Sequence, residues 1–151
     1  MRKTRKIIIL VAGLTAVALS AVPVMGMRLS GGEWGEITIH GYNLMEFSAL
    51  ACLPLLTPLL LPVILFGNQS KAAQEAELLF LFGGNVLSCV HSCNAAQIWL
   101  STLEDGLVRH YAGDVLYPLG FVLCLVGVAL CVLLPEKRTR REWHVEHLRF
   151  F

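Results

Sequence analysis

The sequence predicts an all-α membrane protein, a four-helix transmembrane bundle with a short extended segment in its first outer loop. Of its 151 residues, 56% are hydrophobic and only 15% are charged, which is too apolar for an ordinary soluble domain. Four apolar runs each approach the roughly 20 residues that an α-helix needs to cross a bilayer. We therefore expect one integral membrane domain over residues 1–151, with spans over residues 7–27, 45–66, 77–99 and 115–134 and a tail over residues 135–151.

The distribution of positive charge predicts the orientation of these spans. If all four runs cross, ten of the 12 Lys and Arg residues lie on one side, and only Arg28 and Arg109 lie on the other. The positive-inside rule then predicts that both termini are cytoplasmic. We expect the chain to lie in the plasma membrane. Glu136, Glu142 and Glu146 dilute the charge of the basic tail. We expect this tail to contact anionic lipid and not nucleic acid.

The first run, Ile7–Met27, follows a basic leader. The same pattern describes a secretory signal, and residues 18–20 would pass as its cleavage site. Because the run stays apolar as far as Met27, it is long enough to span a bilayer, and we expect an uncleaved helix. Small residues one turn apart form a stripe at which another backbone can approach closely: Ala12, Ala16 and Ser20.

The first outer loop is predicted to contain an extended segment over Glu36–His40, where polar and apolar residues alternate and β-branched residues are frequent. The second run is predicted to begin with a capping box in which Asn43 is the N-cap and Glu46 reaches back to it. Glu46 also has a functional interpretation, as a carboxylate that attracts cations at a pore mouth.

The second run carries three prolines at a spacing of four residues, and we expect them to kink the helix: Pro54, Pro58 and Pro62. A proline has no N–H, so the carbonyl four residues before it loses its helical donor. The affected carbonyls are those of Leu50, Pro54 and Pro58, which fall on one face of a helix. In hydrocarbon these carbonyls need another donor.

The third run supplies candidate donors, because Asn85, Ser88 and Ser92 share one helical face. A short polar connector makes the second and third spans antiparallel neighbours. Counting about 1.5 Å per residue from each midpoint places Asn85 and Ser88 level with the Pro58 carbonyl, and Ser92 level with the two outer carbonyls. Our hypothesis is that this polar face satisfies the carbonyls of the second span.

His91 is the only imidazole or charged group deep inside a predicted span, which makes it a candidate for a proton, ion or ligand site. As a neutral imidazole bonded to a carbonyl, it would instead be structural. Cys89 and Cys93 lie one turn apart around it, and thiolate with imidazole suits a soft metal. Structural zinc sites use a second ligand pair. We therefore predict no metal, with Cys89, His91 and Cys93 as weak candidates.

The second outer loop, residues 101–113, is predicted to form an interfacial helix. Its apolar face consists of four residues: Leu103, Leu107, Val108 and Tyr111. The last run is predicted to begin at Asp114 as the N-cap, with Pro118 in its first turn, where a missing N–H costs least. Gly127 and Cys131 form a further small-residue pair.

The sequence contains no phosphate-binding glycine loop with its lysine and no nucleophile elbow, so we expect no enzyme and no cofactor. The leading expectation is a non-enzymatic accessory, regulatory or interaction component of a membrane, whose partners are lipid and a membrane protein or further copies of itself. The alternative is a transport or channel subunit for an ion or small solute, with a polar intramembrane site on spans two and three: Asn85, Ser88, His91, Ser92 and Glu46. A weaker alternative is a membrane protein that binds a metal or carries out redox chemistry at its cysteines.

Overall fold

The computed structural model describes residues 3–29, 36–102 and 106–134, and these residues are mostly helical. The chain forms α1 (Lys3–Ser20), β1 (Pro23–Leu29), β2 (Glu36–His40), two 3-10 helices (Gly41–Glu46 and Ala49–Cys52), α2 (Leu53–Phe66), α3 (Lys71–Ser101), β3 (Gly106–His110) and α4 (Gly113–Leu133). The tail predicted over residues 135–151 and the loop residue Leu103 lie outside the described residues.

Within the described residues, three helical segments are long and apolar enough to cross a membrane: Ala49–Phe66, Lys71–Ser101 and Gly113–Leu133. They correspond to the second, third and last predicted spans, and they point to membrane association. The helix α1 is not among these three segments, and it includes the basic residues of the leader, Lys3, Arg5 and Lys6.

Each helix lies beside two others: α1 packs against α2 and α4, and α3 packs against the same two helices from the other side. Glycine permits two of these close approaches. A Cβ at Gly13 of α1 would lie 2.2 Å from the Cδ1 atom of Leu61, and a Cβ at Gly120 of α4 would lie 2.6 Å from Leu19. Ala16 and Ser20, two members of the predicted small-residue stripe, are buried. Gly127, in contrast, has no heavy atom of another described element within 4 Å of its Cβ position.

The strands form an antiparallel sheet in the order β2-β1-β3. Met25 of the central strand pairs with Ile39 on one side and His110 on the other. The prediction of an extended segment over Glu36–His40 is confirmed. The prediction that the first helix continues to Met27 is wrong, because the helix ends at Ser20. Pro23 cannot donate a helical bond and biases the residue before it towards extended backbone, and the two neighbouring strands supply partners for the chain that follows.

The prediction of an interfacial helix in the second outer loop is also wrong for its described part, since Gly106–His110 is the edge strand β3. The apolar residues there fit helical spacing, but the backbone pairs with β1 from Gly106 to His110. Pairing with β1 thus determines the local structure of this segment, and the helical spacing of its apolar residues does not.

The second predicted span begins later than expected, because α2 starts at Leu53 and two 3-10 helices precede it. The predicted capping box is wrong in its roles. Asn43 is the third residue of the first 3-10 helix, and its side chain accepts a bond of 3.2 Å from the backbone N–H of His40. Glu46 ends that helix and is exposed. Ser48 accepts a bond from the N–H of Leu50 and thereby caps the second 3-10 helix.

The last two helices also differ from prediction at their starts. The helix α3 begins at Lys71, because the Ser70 side chain accepts a bond of 3.2 Å from the N–H of Ala73. The helix α4 begins at Gly113, so Asp114 lies inside its first turn and is not the N-cap. Pro118 consequently lies inside α4 and not in its first turn.

The buried apolar residues form two clusters along the helices. The cluster at the sheet end contains Val24, Ile39, Leu44, Cys89, Tyr117 and Phe121, among others. The cluster at the other end contains Ile9, Leu61, Leu65, Phe82 and Val128, among others. Along α2 and α3, Thr57 and Asn85 fall between the two clusters and are fully buried.

Basic side chains from the start of α1 cover the ends of two other helices. Lys6 donates to the carbonyl of Leu65 at 2.6 Å, and Arg5 donates to the carbonyl of Leu134 at 2.8 Å. The last carbonyls of a helix have no intrahelical donor and carry partial negative charge, so both contacts are favourable. They show that the start of α1 lies at the same end of the molecule as the C-terminal ends of α2 and α4.

Candidate intramembrane polar site

The polar residues predicted on α3 lie on two different faces of that helix. Asn85, Ser88 and Ser92 are buried against the other helices. His91 is exposed. Ser88 and His91 are three residues apart, so His91 is offset from Ser88 around the helix, and it is exposed whereas Ser88 is buried. The buried and exposed groups therefore have different roles.

Asn85 is bonded to Thr57 of α2. Its Nδ2 atom donates to the Thr57 hydroxyl at 2.8 Å, and that hydroxyl donates to the carbonyl of Leu53 at 2.9 Å. The Oδ1 atom of Asn85 lies 3.2 Å from the same hydroxyl oxygen. Asn85 thus meets a side chain and not the carbonyl of Pro58 that was predicted for it.

Ser88 donates to the carbonyl of Leu50 at 2.5 Å, one of the three carbonyls singled out by the proline spacing. The prediction instead placed Ser92 level with the Leu50 carbonyl and Ser88 level with the Pro58 carbonyl. The two contacts are separated by the segment from Leu50 to Thr57 on one side, but only by the shorter segment from Asn85 to Ser88 on α3. Two collinear helices would advance equally, so the 3-10 helix that contains Leu50 departs from the axis of α2.

The three prolines are not equivalent. Pro54 lies in the first turn of α2, where a backbone N–H would have no acceptor within the helix, so Pro54 removes no hydrogen bond from α2 itself. Pro58 and Pro62 lie inside α2 and each remove one helical bond. Pro54 is buried, which makes it part of the packing at the start of the helix.

Ser92 is buried, and its hydroxyl has no hydrogen-bond partner among the residues that the structure describes. The predicted contact between Ser92 and an outer carbonyl of the second span is therefore not formed. A hydroxyl buried without a partner destabilises a fold by about 1–3 kcal/mol relative to a satisfied one. Ser92 is thus the one described buried side-chain polar atom that the packing leaves unsatisfied.

His91 and Ser88 line an open groove of about 530 Å³ between α3 and the chain around Leu50 and Leu53. The remaining lining residues are mostly apolar: Gly84, Leu87, Val90 and Asn94. Glu46 is not among the lining residues, so the structure does not bring it together with His91 at this groove.

The cysteines and His91 do not converge. Cys89 is buried and Cys93 is half-buried, whereas His91 is exposed. Across residues 3–29, 36–102 and 106–134, no group of three His, Cys, Asp or Glu residues is placed to hold a metal ion. The weak metal candidates Cys89, His91 and Cys93 are therefore not a ligand set in this fold.

Sequence reasoning missed two features of the site. Thr57 is the only residue of α2 whose side chain can donate a hydrogen bond, which could have marked it as the partner of a polar residue on α3. Asn94 and Gln97 are exposed on α3, and both lie three or four residues from other exposed positions of the same helix. A search for such spacing could have found this second polar face.

Comparison with known proteins yields no relative. No protein-family model, no curated protein and no solved structure matches this chain.

Proposed function

We propose that the chain is a non-enzymatic component of the plasma membrane that works by contacts between helices within the bilayer. In this proposal the four helices form a transmembrane bundle, with α1 as the fourth span and both termini cytoplasmic. Exposed apolar side chains on α1 support its insertion, among them Ile7, Val11 and Leu14. Arg5 and Lys6 lie at one end of α1, where long basic side chains reach the headgroup region.

One observation carries the functional proposal: α3, a helix apolar enough to cross a membrane, exposes the polar side chains of His91, Asn94 and Gln97. The carboxamides of Asn94 and Gln97 each offer two donors and an acceptor. Hydrocarbon offers them no partner, whereas a neighbouring membrane helix does. This face of α3 is therefore suited to contact with protein.

The interior of the molecule gives less support to a passage through it. Asn85 and Thr57 satisfy each other, and Ser88 is bonded to Leu50. These groups hold α2 and α3 together and leave little capacity to coordinate an ion. The buried polar residues therefore have a structural role in this proposal.

A second candidate function is a binding site for an ion or small solute, and the groove lined by Ser88, His91 and Asn94 favours it. Polar groups that face a cavity at membrane depth are typical of such sites. In that case the groove would be filled by the solute and not by a protein side chain.

Photocrosslinking in native membranes tests the proposal. A benzophenone amino acid at Gln97 is expected to yield an adduct with protein, and the same probe at the exposed apolar position Leu123 of α4 is expected to yield lipid adducts only. Lipid adducts alone at both positions would contradict the proposal. An ion or solute flux in proteoliposomes that His91→Ala abolishes would favour the second candidate.

A further inference from the structure

Two basic pentapeptides of the same pattern lie near the two ends of the sequence. Residues 2–6 are RKTRK, the leader pentapeptide, and residues 137–141 are KRTRR, the tail pentapeptide. Each places one threonine between two pairs of basic residues, and together they hold eight of the 12 Lys and Arg residues of the chain. The tail pentapeptide and Arg2 lie outside the described residues, and a short stretch of chain joins the tail pentapeptide to α4.

The fold brings the leader pentapeptide to the point where the chain leaves α4. The guanidinium of Arg5 donates to the carbonyl of Leu134 at 2.8 Å. Lys137 follows Leu134 by three residues, and three residues span at most about 11 Å when fully extended. The connection to α4 therefore keeps the start of the tail pentapeptide within that reach of the carbonyl that Arg5 binds.

Acidic residues do not balance the positive charge at this end. Residues 1–29 contain no Asp or Glu, so nothing in that stretch opposes the leader pentapeptide. Glu136 and Glu142 adjoin the tail pentapeptide and oppose two of its four positive charges. At the start of α3, Glu75 already pairs with Lys71 at 3.6 Å. The two pentapeptides thus form a region of high positive charge density.

This region lies beside the ends of two helical segments that are long and apolar enough to cross a membrane. Arg5 and Lys6 bind carbonyls at the C-terminal ends of α4 and α2, and Lys3 and Thr4 are exposed next to them. Cations directly beyond a membrane-spanning helix lie at the depth of the phospholipid headgroups. A nucleic acid would have to compete there with headgroups that already surround the chain. The position therefore favours lipid as the anionic partner.

We propose that the two pentapeptides together bind the headgroup of a phospholipid that carries two phosphate groups. Ammonium and guanidinium groups form charge-assisted hydrogen bonds with phosphate oxygens, and the central threonine of each pentapeptide adds a hydroxyl donor. Two such clusters kept at one end of the molecule match two phosphates kept on one headgroup. The site goes beyond the proposed contact function, since it does not depend on the partner of α3.

Equilibrium titration of the purified full-length chain in micelles of an uncharged detergent tests the proposal. Cardiolipin carries two phosphates and phosphatidylglycerol carries one, so the two probes differ in the feature that the site recognises. We expect one cardiolipin to bind per chain, about tenfold more tightly than phosphatidylglycerol. Equal Kd values for the two lipids, or a lower Kd for a single-stranded RNA oligonucleotide than for cardiolipin, would overturn the proposal.

Charge-removing variants distinguish one shared site from two separate sites. Arg2→Gln with Lys3→Gln changes the leader pentapeptide, and Arg140→Gln with Arg141→Gln changes the tail pentapeptide. Each pair is expected to raise the Kd for cardiolipin by about tenfold without changing the number of lipids bound. A smaller number of bound lipids at an unchanged Kd would mean that the two pentapeptides bind separately, and would overturn the shared site.

The matched control removes the same charge at the other end of the molecule. Arg28→Gln in β1 with Arg109→Gln in β3 is expected to leave the Kd for cardiolipin unchanged. An increase as large as that of the other two pairs would contradict the proposal. Melting temperatures in the same detergent distinguish a loss of binding from a loss of fold.

A second measurement uses the unmodified chain. Raising the ionic strength from about 0.05 M to about 0.5 M shortens the Debye length roughly threefold. Because the proposed site binds through charge, the Kd for cardiolipin is expected to rise by about tenfold or more. A Kd that does not change with salt would mean that the acyl chains and not the phosphates are recognised, and would overturn the proposal.

Discussion

Asn85 of α3 donates to the hydroxyl of Thr57 of α2 at 2.8 Å, and both residues are fully buried between the two apolar clusters. The Thr57 hydroxyl in turn donates a hydrogen bond to the carbonyl of Leu53 at 2.9 Å. The pair therefore joins two helices at mid-length without leaving the hydroxyl unsatisfied. Polar groups that are satisfied inside the molecule in this way stabilise the fold, whereas exposed polar groups are available to a partner.

Thr57→Val is expected to destabilise the protein in detergent by about 1–2 kcal/mol, because it leaves the Asn85 carboxamide buried and unsatisfied. Asn85→Val is expected to cost less, because the Thr57 hydroxyl keeps its bond to the Leu53 carbonyl. The double variant is expected to be less destabilised than the sum of the two, since the orphaned Asn85 carboxamide is then absent. Thermal unfolding of the four proteins measures this coupling. Strict additivity would mean that the bond does not contribute.

Ser88→Ala and Ser92→Ala make a matched pair on the same face of α3. Ser88 is bonded to the Leu50 carbonyl, so its loss is expected to lower stability by about 1 kcal/mol. Ser92 has no partner, so Ser92→Ala is expected to be neutral or stabilising. Melting temperatures in one detergent compare them, and the reverse order would contradict the observed register.

Lys6→Gln is expected to destabilise the protein by about 1 kcal/mol. The ammonium of Lys6 bonds the Leu65 carbonyl and lies 4.4 Å from the centroid of the Phe66 ring, and a neutral amide loses the charge that both contacts favour. The control is Lys71→Gln, whose ion pair with Glu75 at 3.6 Å is exposed and contributes little. Chemical unfolding in detergent should rank the two in that order, and equal effects would argue against the capping role.

Gly113→Ala is expected to destabilise the protein by about 2 kcal/mol or more, because a Cβ there would lie 1.9 Å from the backbone carbonyl oxygen of Pro23. The helix α4 would have to move away from β1. Gly127→Ala in the same helix meets no atom of another described element within 4 Å and is expected to be neutral or slightly stabilising. A comparison of unfolding midpoints checks this, and equal midpoints would mean that the sheet does not dock on α4.

Hydropathy and spacing were sufficient to predict that the second, third and last runs contain apolar helices, and alternation was sufficient for the strand at Glu36–His40. The central strand β1 was missed because Val24 and Met25 are buried in the core cluster, and a buried strand has the same composition as the end of an apolar helix. Its identity depends on pairing with β3, which begins far away in the chain at Gly106.

The sequence predicted which residues share the buried face of the candidate site, but not which groups they bond. The shared buried face of Asn85, Ser88 and Ser92 follows from helical periodicity alone. Their partners do not, because the count from the span midpoints assumed a continuous helix before Leu53, where the chain forms 3-10 turns instead. The exposure of His91 depends on how far α2 extends along α3, which no local pattern determines.

The central claim is that all four helices cross the bilayer, and the sidedness of the two chain ends tests it most directly. A short epitope is added to each end of the full-length chain, and its accessibility to antibody is measured in intact cells and after selective permeabilisation of the plasma membrane. Both epitopes are expected to be inaccessible from outside and to become accessible together. Accessibility of one end from outside, or recovery of the chain in the supernatant of a detergent-free ultracentrifugation, would contradict the account.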